Sequence, residues 1–382
     1  MPKETKASGV AALFNAFEAA GVYAKGIKLQ GRPNREAGDL KFAAGDARLV
    51  GIGGGKLNAF LARNVEYSSE QSKETADLLR GAFGPAGGAI LSGPLRNLIA
   101  PDRQRVTADY FIWRNIDMSG WLGWGLKGET PPITVRNLVN LGDLRIGNAQ
   151  SFIGEKRAST APEIIVSDMD FEWLAPSKVR AAARGVSYDY TAYLPDDAKD
   201  EIAVMKAHGL DKAKADSTFS YDWSADRGDA ALKSVFTSKA LGDFNLDLAL
   251  AGLELEKISA AEESGRKNAA AELAKIKSFS LLLADHGLLD TIFELAAVEN
   301  GAKAEDLREA APSFLKIMKL QIQGDNPRTA GFLDAVADFI EKGGALEIKA
   351  APKSPVALGS LAEMRKPDDA ATALSLSVEQ KN

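Results

Sequence analysis

Along much of the chain from Val22 to Tyr193, apolar and polar residues alternate with a period of two, the pattern of strands that bury one face. Val106, Ala108, Tyr110, Ile112, Ile116 and Met118 alternate with Thr107, Asp109, Asn115 and Asp117, and Arg114 interrupts that face. The same reading predicts strands over 22–30, 40–50, 57–67, 133–146, 163–174 and 178–193, with Gly, Pro and Ser between them. Short links between successive strands predict antiparallel meanders. Ahead of them, Ser8 is placed to cap a short helix whose stripe is Val10, Leu13, Phe14 and Phe17, with Gly21 ending it.

One hairpin is specified in more detail. Ile165, Met169, Phe171 and Trp173 share one strand face, and Asp168, Asp170 and Glu172 share the other. A loop at Ala175–Ser177 would set Glu172 against Arg180, Asp168 against Arg184 and Trp173 against Val179.

Beyond residue 194 the pattern is mixed. Acids at Asp196, Asp197, Asp200 and Glu201 predict a helix start, with Gly209 past its end. Strand periodicity returns over 218–223, 232–239 and 244–255, where Phe244, Leu246, Leu248 and Leu250 oppose Asp243, Asn245 and Asp247. A polar, alanine-rich helix is expected over 260–275, loosened at Gly265, and then a strand over 279–283. Three amphipathic helices follow: one through Leu289 and Ala296, one beginning at Pro312, and one capped by Asn326 with Pro327 at its first position and Gly343 beyond its end. Final strands are expected near 345–350, 355–359 and 372–378. Arg63-Asn64-Val65, Arg114-Asn115-Ile116 and Arg136-Asn137-Leu138 echo one another at irregular spacing.

These elements predict an α+β protein built on an extended, curved antiparallel sheet, with a short N-terminal helix and a helical cluster late in the chain. A β-rich region, 1–193, would precede an α+β region, 194–382, and the two can form one continuous sheet. The length of 382 residues suits two or three domains.

Charge divides the chain. Residues 1–190 carry 24 basic and 20 acidic side chains, 24 − 20 = +4, which leaves 23 − 32 = −9 for the rest and −5 overall. That balance does not point to nucleic acid. With no cysteine and two histidines, thiol nucleophiles and multi-histidine or thiolate metal sites are excluded. Neither a cofactor nor a metal is expected. Gly51–Leu57 misses the phosphate loop, because Val50 stands where its first glycine belongs and Leu57 where Ser or Thr would bind magnesium, so a turn is expected there. His286 beside Asp285 permits a triad only without a nucleophile elbow, and no catalytic residue is assigned. The two acidic groups lack calcium-loop spacing.

The most unusual segment is Gly120–Leu126, where Trp121, Leu122 and Trp124 alternate with glycines. Such residues suit the mouth of an apolar pocket or a membrane interface, or else a bulged strand that buries both rings. With Phe244, Leu246, Leu248 and Leu250 they form the expected apolar ligand-binding set.

The strand run 22–193 and the segment Phe332–Leu361, with Gly344-Ala345-Leu346-Glu347-Ile348 and Ala351-Pro352-Lys353-Ser354-Pro355-Val356, resemble the repetitive β-rich envelope proteins of the AsmA and YdgA kind. The resemblance implies a periplasmic or membrane-tethered protein linked to lipid handling, its export signal removed; a cytoplasmic chain is the alternative. The expected function is therefore non-enzymatic binding or transfer of a lipid or other hydrophobic ligand in a groove of the sheet, with contact to a membrane surface. A structural or protein-interaction module of the envelope is the second reading, and a hydrolase using carboxylates or His286 is the third.

Overall fold

A computed structural model describes residues 18–31, 40–70, 103–266 and 268–381. The expected helix at Val10–Phe17 lies outside them, while Gly21 lies inside a strand rather than ending a helix.

The strands are β1 (Ala19–Gly31), β2 (Leu40–Gly53), β3 (Lys56–Glu70), β4 (Arg103–Asp117), β5 (Asp143–Ile153), β6 (Lys156–Glu172), β7 (Ala175–Tyr188), β8 (Ala213–Trp223), β9 (Ala230–Ser238), β10 (Gly242–Ala251), β11 (Lys275–Asp285), β12 (Ala345–Ala350), β13 (Val356–Ala357) and β14 (Ser377–Lys381). They hydrogen-bond in chain order from β1 to β12, then β14, with β13 set on β11. The sheet is an open antiparallel meander. Helices are α1 (Ser119–Lys127), α2 (Lys199–Ala207), α3 (Leu255–Glu263), α4 (Ala269–Leu273), α5 (Leu288–Asn300), α6 (Ala304–Ile322), α7 (Pro327–Lys342), α8 (Leu358–Glu363) and α9 (Pro367–Ala373). The chain divides into two compact units, 1–174 with 181–215, and 175–180 with 216–382. The boundary read from the sequence, 193–194, lies between the breaks of this division at 180–181 and 215–216.

In the first unit the alternation of strand faces inverts twice. Asn64 and Asn148 are left-handed (φ 50° and 49°), as are Gly26 and Gly185. Pairing places Gly26, Gly45, Asn64, Asp109, Asn148 and Pro162 on one line across six strands. Asn148 Nδ2 donates to Asp109 Oδ2 along it at 2.7 Å. A second line runs through Gly51, Asn58 and Asn115 to Gly142, and three of those four have positive φ. Where the first line crosses a strand, residues three apart, not two, share a face, and at Gly26, Asn64 and Asn148 a left-handed residue makes the turn. Ala44 with Ala47, and Ala62 with Val65, therefore join one buried cluster with Ala108, against which Phe42, Phe60, Phe111 and Ile146 pack.

This corrects the face expected for β4. After Ala108 the inner side carries Phe111, not Tyr110, and the Tyr110 hydroxyl instead donates to Glu163 Oε1 at 3.2 Å. Likewise Ile164, not Ile165, packs against the adjoining cluster of Ala149, Ala161 and Val186. The expected hairpin loop is also different. β6 ends at Glu172 and β7 begins at Ala175, so the turn is Trp173–Leu174, and Arg180 donates to both carboxylate oxygens of Asp222 at 2.7 Å. The strand expected from Ile133 begins only at Asp143.

In the second unit, α6 runs unbroken through a buried Pro312 rather than starting there. The helix expected over 260–275 is two short ones, α3 and α4, and Leu255 starts α3 instead of ending a strand. Helix α7 lies along β12 and β14 and against α6, which in turn packs on α5.

Candidate apolar ligand face

Strand β10 places Phe244, Leu246, Leu248 and Leu250 on one face, as its period of two requires. Their cross-strand partners extend that face. Phe244 lies between Phe236 and Leu283, Leu246 between Ser234 and Leu281, and Leu248 between Leu232 and Phe279. Leu283 and Leu281 continue into Leu346 and Ile348 of β12, and Ile348 into Val378 of β14. At the far end β11 carries an extra residue, so that Leu250 meets Ile276, which pairs with Val356. The displaced Lys277 reaches Asp229 Oδ1 at 2.9 Å.

The opposite face is charged. Lys233 pairs with Asp247 at 3.0 Å, and Glu347 accepts from Lys349 at 2.7 Å and from Lys381. Hydrogen bonds from Lys349, then Lys381, hold the Glu347 carboxyl below its ordinary pKa. The sheet here is single-sided: one face is built for water and the other for apolar contact. Among the described residues no helix packs broadly on β9 or β10, since α7 covers β12 and β14. Phe244 is 37% exposed, and Leu246, Leu248 and Leu250 are partly exposed.

Trp121, Leu122 and Trp124 belong to the first unit, in α1, neither a bulged strand nor an irregular loop. Asp117 starts the helix by accepting from the Ser119 amide at 2.9 Å and its hydroxyl at 2.6 Å. The glycines serve close approach. A Cβ on Gly125 would lie 2.6 Å from Trp121 Cη2, and one on Gly120 would lie 2.8 Å from the Asn137 carbonyl oxygen. Leu122 is buried, the two tryptophans are half-buried, and Lys127 Nζ stands 5.9 Å from the Trp124 ring centroid.

The other candidates resolve as follows. Gly54 and Gly55 form the β2–β3 turn, and Lys56 pairs with Asp117 at 3.0 Å. His286 Nδ1 lies 3.2 Å from the carbonyl oxygen of Ser238, and Nε2 lies 4.0 Å from Asp243 Oδ2. The Ser238 hydroxyl is buried and unpartnered, so imidazole and hydroxyl do not form the pair that nucleophilic catalysis uses. Among the described residues no group of three or more histidines, aspartates or glutamates is placed to hold a metal ion. No described helix is long and apolar enough to cross a membrane. Tyr190 stacks between Tyr188 and Tyr193 at 5.5 and 6.3 Å, and burial, with those two neighbours, pushes its pKa up to about 12.

The fold and this face describe an open antiparallel meander with an apolar side. Residues 235–381, which include β10 to β14, match a family model described as an uncharacterized protein. No curated protein matches the chain.

Proposed function

We propose that the protein is a non-enzymatic carrier or binder of a hydrophobic ligand, an acyl chain of a lipid, on the apolar face of β9 to β12. The single-sidedness of that face is the observation that carries the reading. From Phe244 to Leu250 the apolar row spans about 20 Å at about 3.4 Å per residue, a length that suits an extended acyl chain. Covering such a row gains about 25 cal/mol for each Å² of apolar surface removed from water. An acyl chain asks for no hydrogen bonds in return, which fits a face whose polar members are few. A place in the cell envelope, in the periplasm, accompanies the AsmA-like pattern of the sequence and belongs to this proposal.

The test is native mass spectrometry of protein purified without detergent, with mass spectrometry of its organic extract. Stoichiometric lipid is expected in the wild type and its loss in Leu246→Arg, which turns a cation onto the face. A clean apo mass together with no saturable uptake of a fluorescent fatty acid would overturn the proposal. A second reading, a protein-interaction module, draws support from α6, where Phe314, Ile317 and Leu320 are 61%, 55% and 73% exposed. It predicts capture of a protein partner that Leu320→Glu abolishes and Leu246→Arg leaves intact.

A further inference from the structure

In the first unit the start of β6, the end of β7, α2 and residues 211–214 enclose a cleft of about 600 Å³. Its lining holds five cations, Lys156, Arg157, Lys206, Lys212 and Lys214, against two carboxylates, Asp189 and Asp211. Two of these charges are already committed. Lys156 Nζ pairs with Asp196 at 2.6 Å and donates to the Leu194 carbonyl at 2.9 Å. Asp189 accepts from the Thr191 amide and hydroxyl at 3.0 and 2.5 Å. The other four cations pair with no carboxylate among the described residues. Like charges that converge in one concavity repel one another, and an anion between them relieves that repulsion.

Asp211 adds a second requirement. Asp211 lines the cleft, and its Oδ1 is buried and accepts no hydrogen bond, a costly state for a carboxylate oxygen that a donor reaching it would relieve. The dianion of a phosphate monoester offers only acceptors and cannot do this, whereas a hydroxyl on the same molecule can. We propose that this cleft is a binding site for a phosphorylated polyol, its phosphate held by Arg157, Lys206, Lys212 and Lys214 and a hydroxyl donated to Asp211. The site stands apart from the acyl-chain reading, since it needs none of the residues of the β9–β12 face. The same chemistry is offered by a soluble glycerol phosphate and by the headgroup of phosphatidylglycerol.

The test is titration calorimetry of the full chain with sn-glycerol 3-phosphate and with inorganic phosphate, beside flotation on phosphatidylglycerol and phosphatidylcholine vesicles. Glycerol 3-phosphate is expected to bind more tightly than inorganic phosphate, and the double variant Arg157→Glu/Lys212→Glu to lose about tenfold or more, the scale of one or two charge-assisted hydrogen bonds. Asp211→Asn is expected to shrink the preference for the polyol while keeping phosphate binding. Flotation on phosphatidylglycerol alone, without soluble binding, supports the headgroup as the source; soluble binding without flotation supports a small molecule. Absence of both, or binding that charge reversal leaves unchanged in a variant with wild-type circular dichroism, overturns the site. Equal affinity for the two soluble ligands in the wild type overturns the role of the polyol and of Asp211. The same titrations on Leu246→Arg are expected to match those on the wild type, so that failure of this site and failure of the acyl-chain face are told apart.

Discussion

Asp368 shows how one side chain can take over a role that local sequence assigns elsewhere. Asn326 stands at the N-cap of α7, but its side chain makes no capping bond to that helix. Instead its Oδ1 accepts from the Asp368 amide at 3.4 Å, and the Asp368 carboxylate accepts from the amides of Arg328 and Thr329 at 2.8 and 2.7 Å. The free N–H groups of the first turn are thus met from 40 residues away, with the negative charge at the positive end of the helix. Burial pushes the Asp368 pKa up, but the Thr329 hydroxyl and amide, the Arg328 amide and its charge together outweigh it, leaving the pKa below 3.8. A depressed folded-state pKa contributes stability that is present above the unfolded value and is lost as pH falls through the folded one. Asp368→Ala is therefore expected to lower the thermal midpoint at neutral pH, and the gap from wild type to narrow below pH 3.8. Thermal melts at neutral pH and in acid check this; a gap independent of pH would remove the electrostatic account.

At the scale of the element, the echo of Arg-Asn followed by an apolar residue acquires a cause. Asn64, Asn115 and Asn137 all adopt positive φ, at 50°, 61° and 54°, where Asn is tolerated and β-branched residues are not. Asn64 inverts β3, and its line crosses β4 at Asp109, between Ala108 and Phe111, which is why a strict period of two assigns Tyr110 and Ile112 to the wrong side. Asn64→Gly is expected to change stability by a few tenths of a kcal/mol, whereas Asn64→Val should cost about 1–2 kcal/mol. Urea unfolding midpoints measure the difference, and equal losses in both variants would mean that the left-handed backbone is not what the position requires. Pro312 is a second case in which a local signal misleads. Proline favours a first turn, yet α6 begins at Ala304 and accommodates the missing N–H inside the helix.

For the whole molecule, the order of the strands governs behaviour. Each strand hydrogen-bonds mainly to the strands next to it in chain order, so stability is distributed along the sheet, as in repeat arrays. Unfolding is then expected to proceed in stages, with a van't Hoff enthalpy well below the calorimetric one. Scanning calorimetry that returns equal enthalpies would show a single cooperative unit.

The existence of most strands, the antiparallel meander and the row Phe244, Leu246, Leu248 and Leu250 were legible in the sequence, because the apolar period and the turn residues are local properties of the chain. The β10 row could be read in full because no left-handed residue interrupts it. The inner faces of β4 and β6 could not, since each inversion depends on a backbone conformation set by the neighbouring strands. The tryptophan segment offered too few residues for its period to separate helix from strand, and packing against Asn137 and Leu138 decided it. The basic cleft left no signal at all: Arg157, Lys206 and the pair Lys212 and Lys214 come from separate stretches of the chain, and only folding brings them to one cleft that Asp211 also lines. Hydrophobic periodicity specifies which elements form, while charge convergence and cross-element capping are long-range and appear only when the chain has folded.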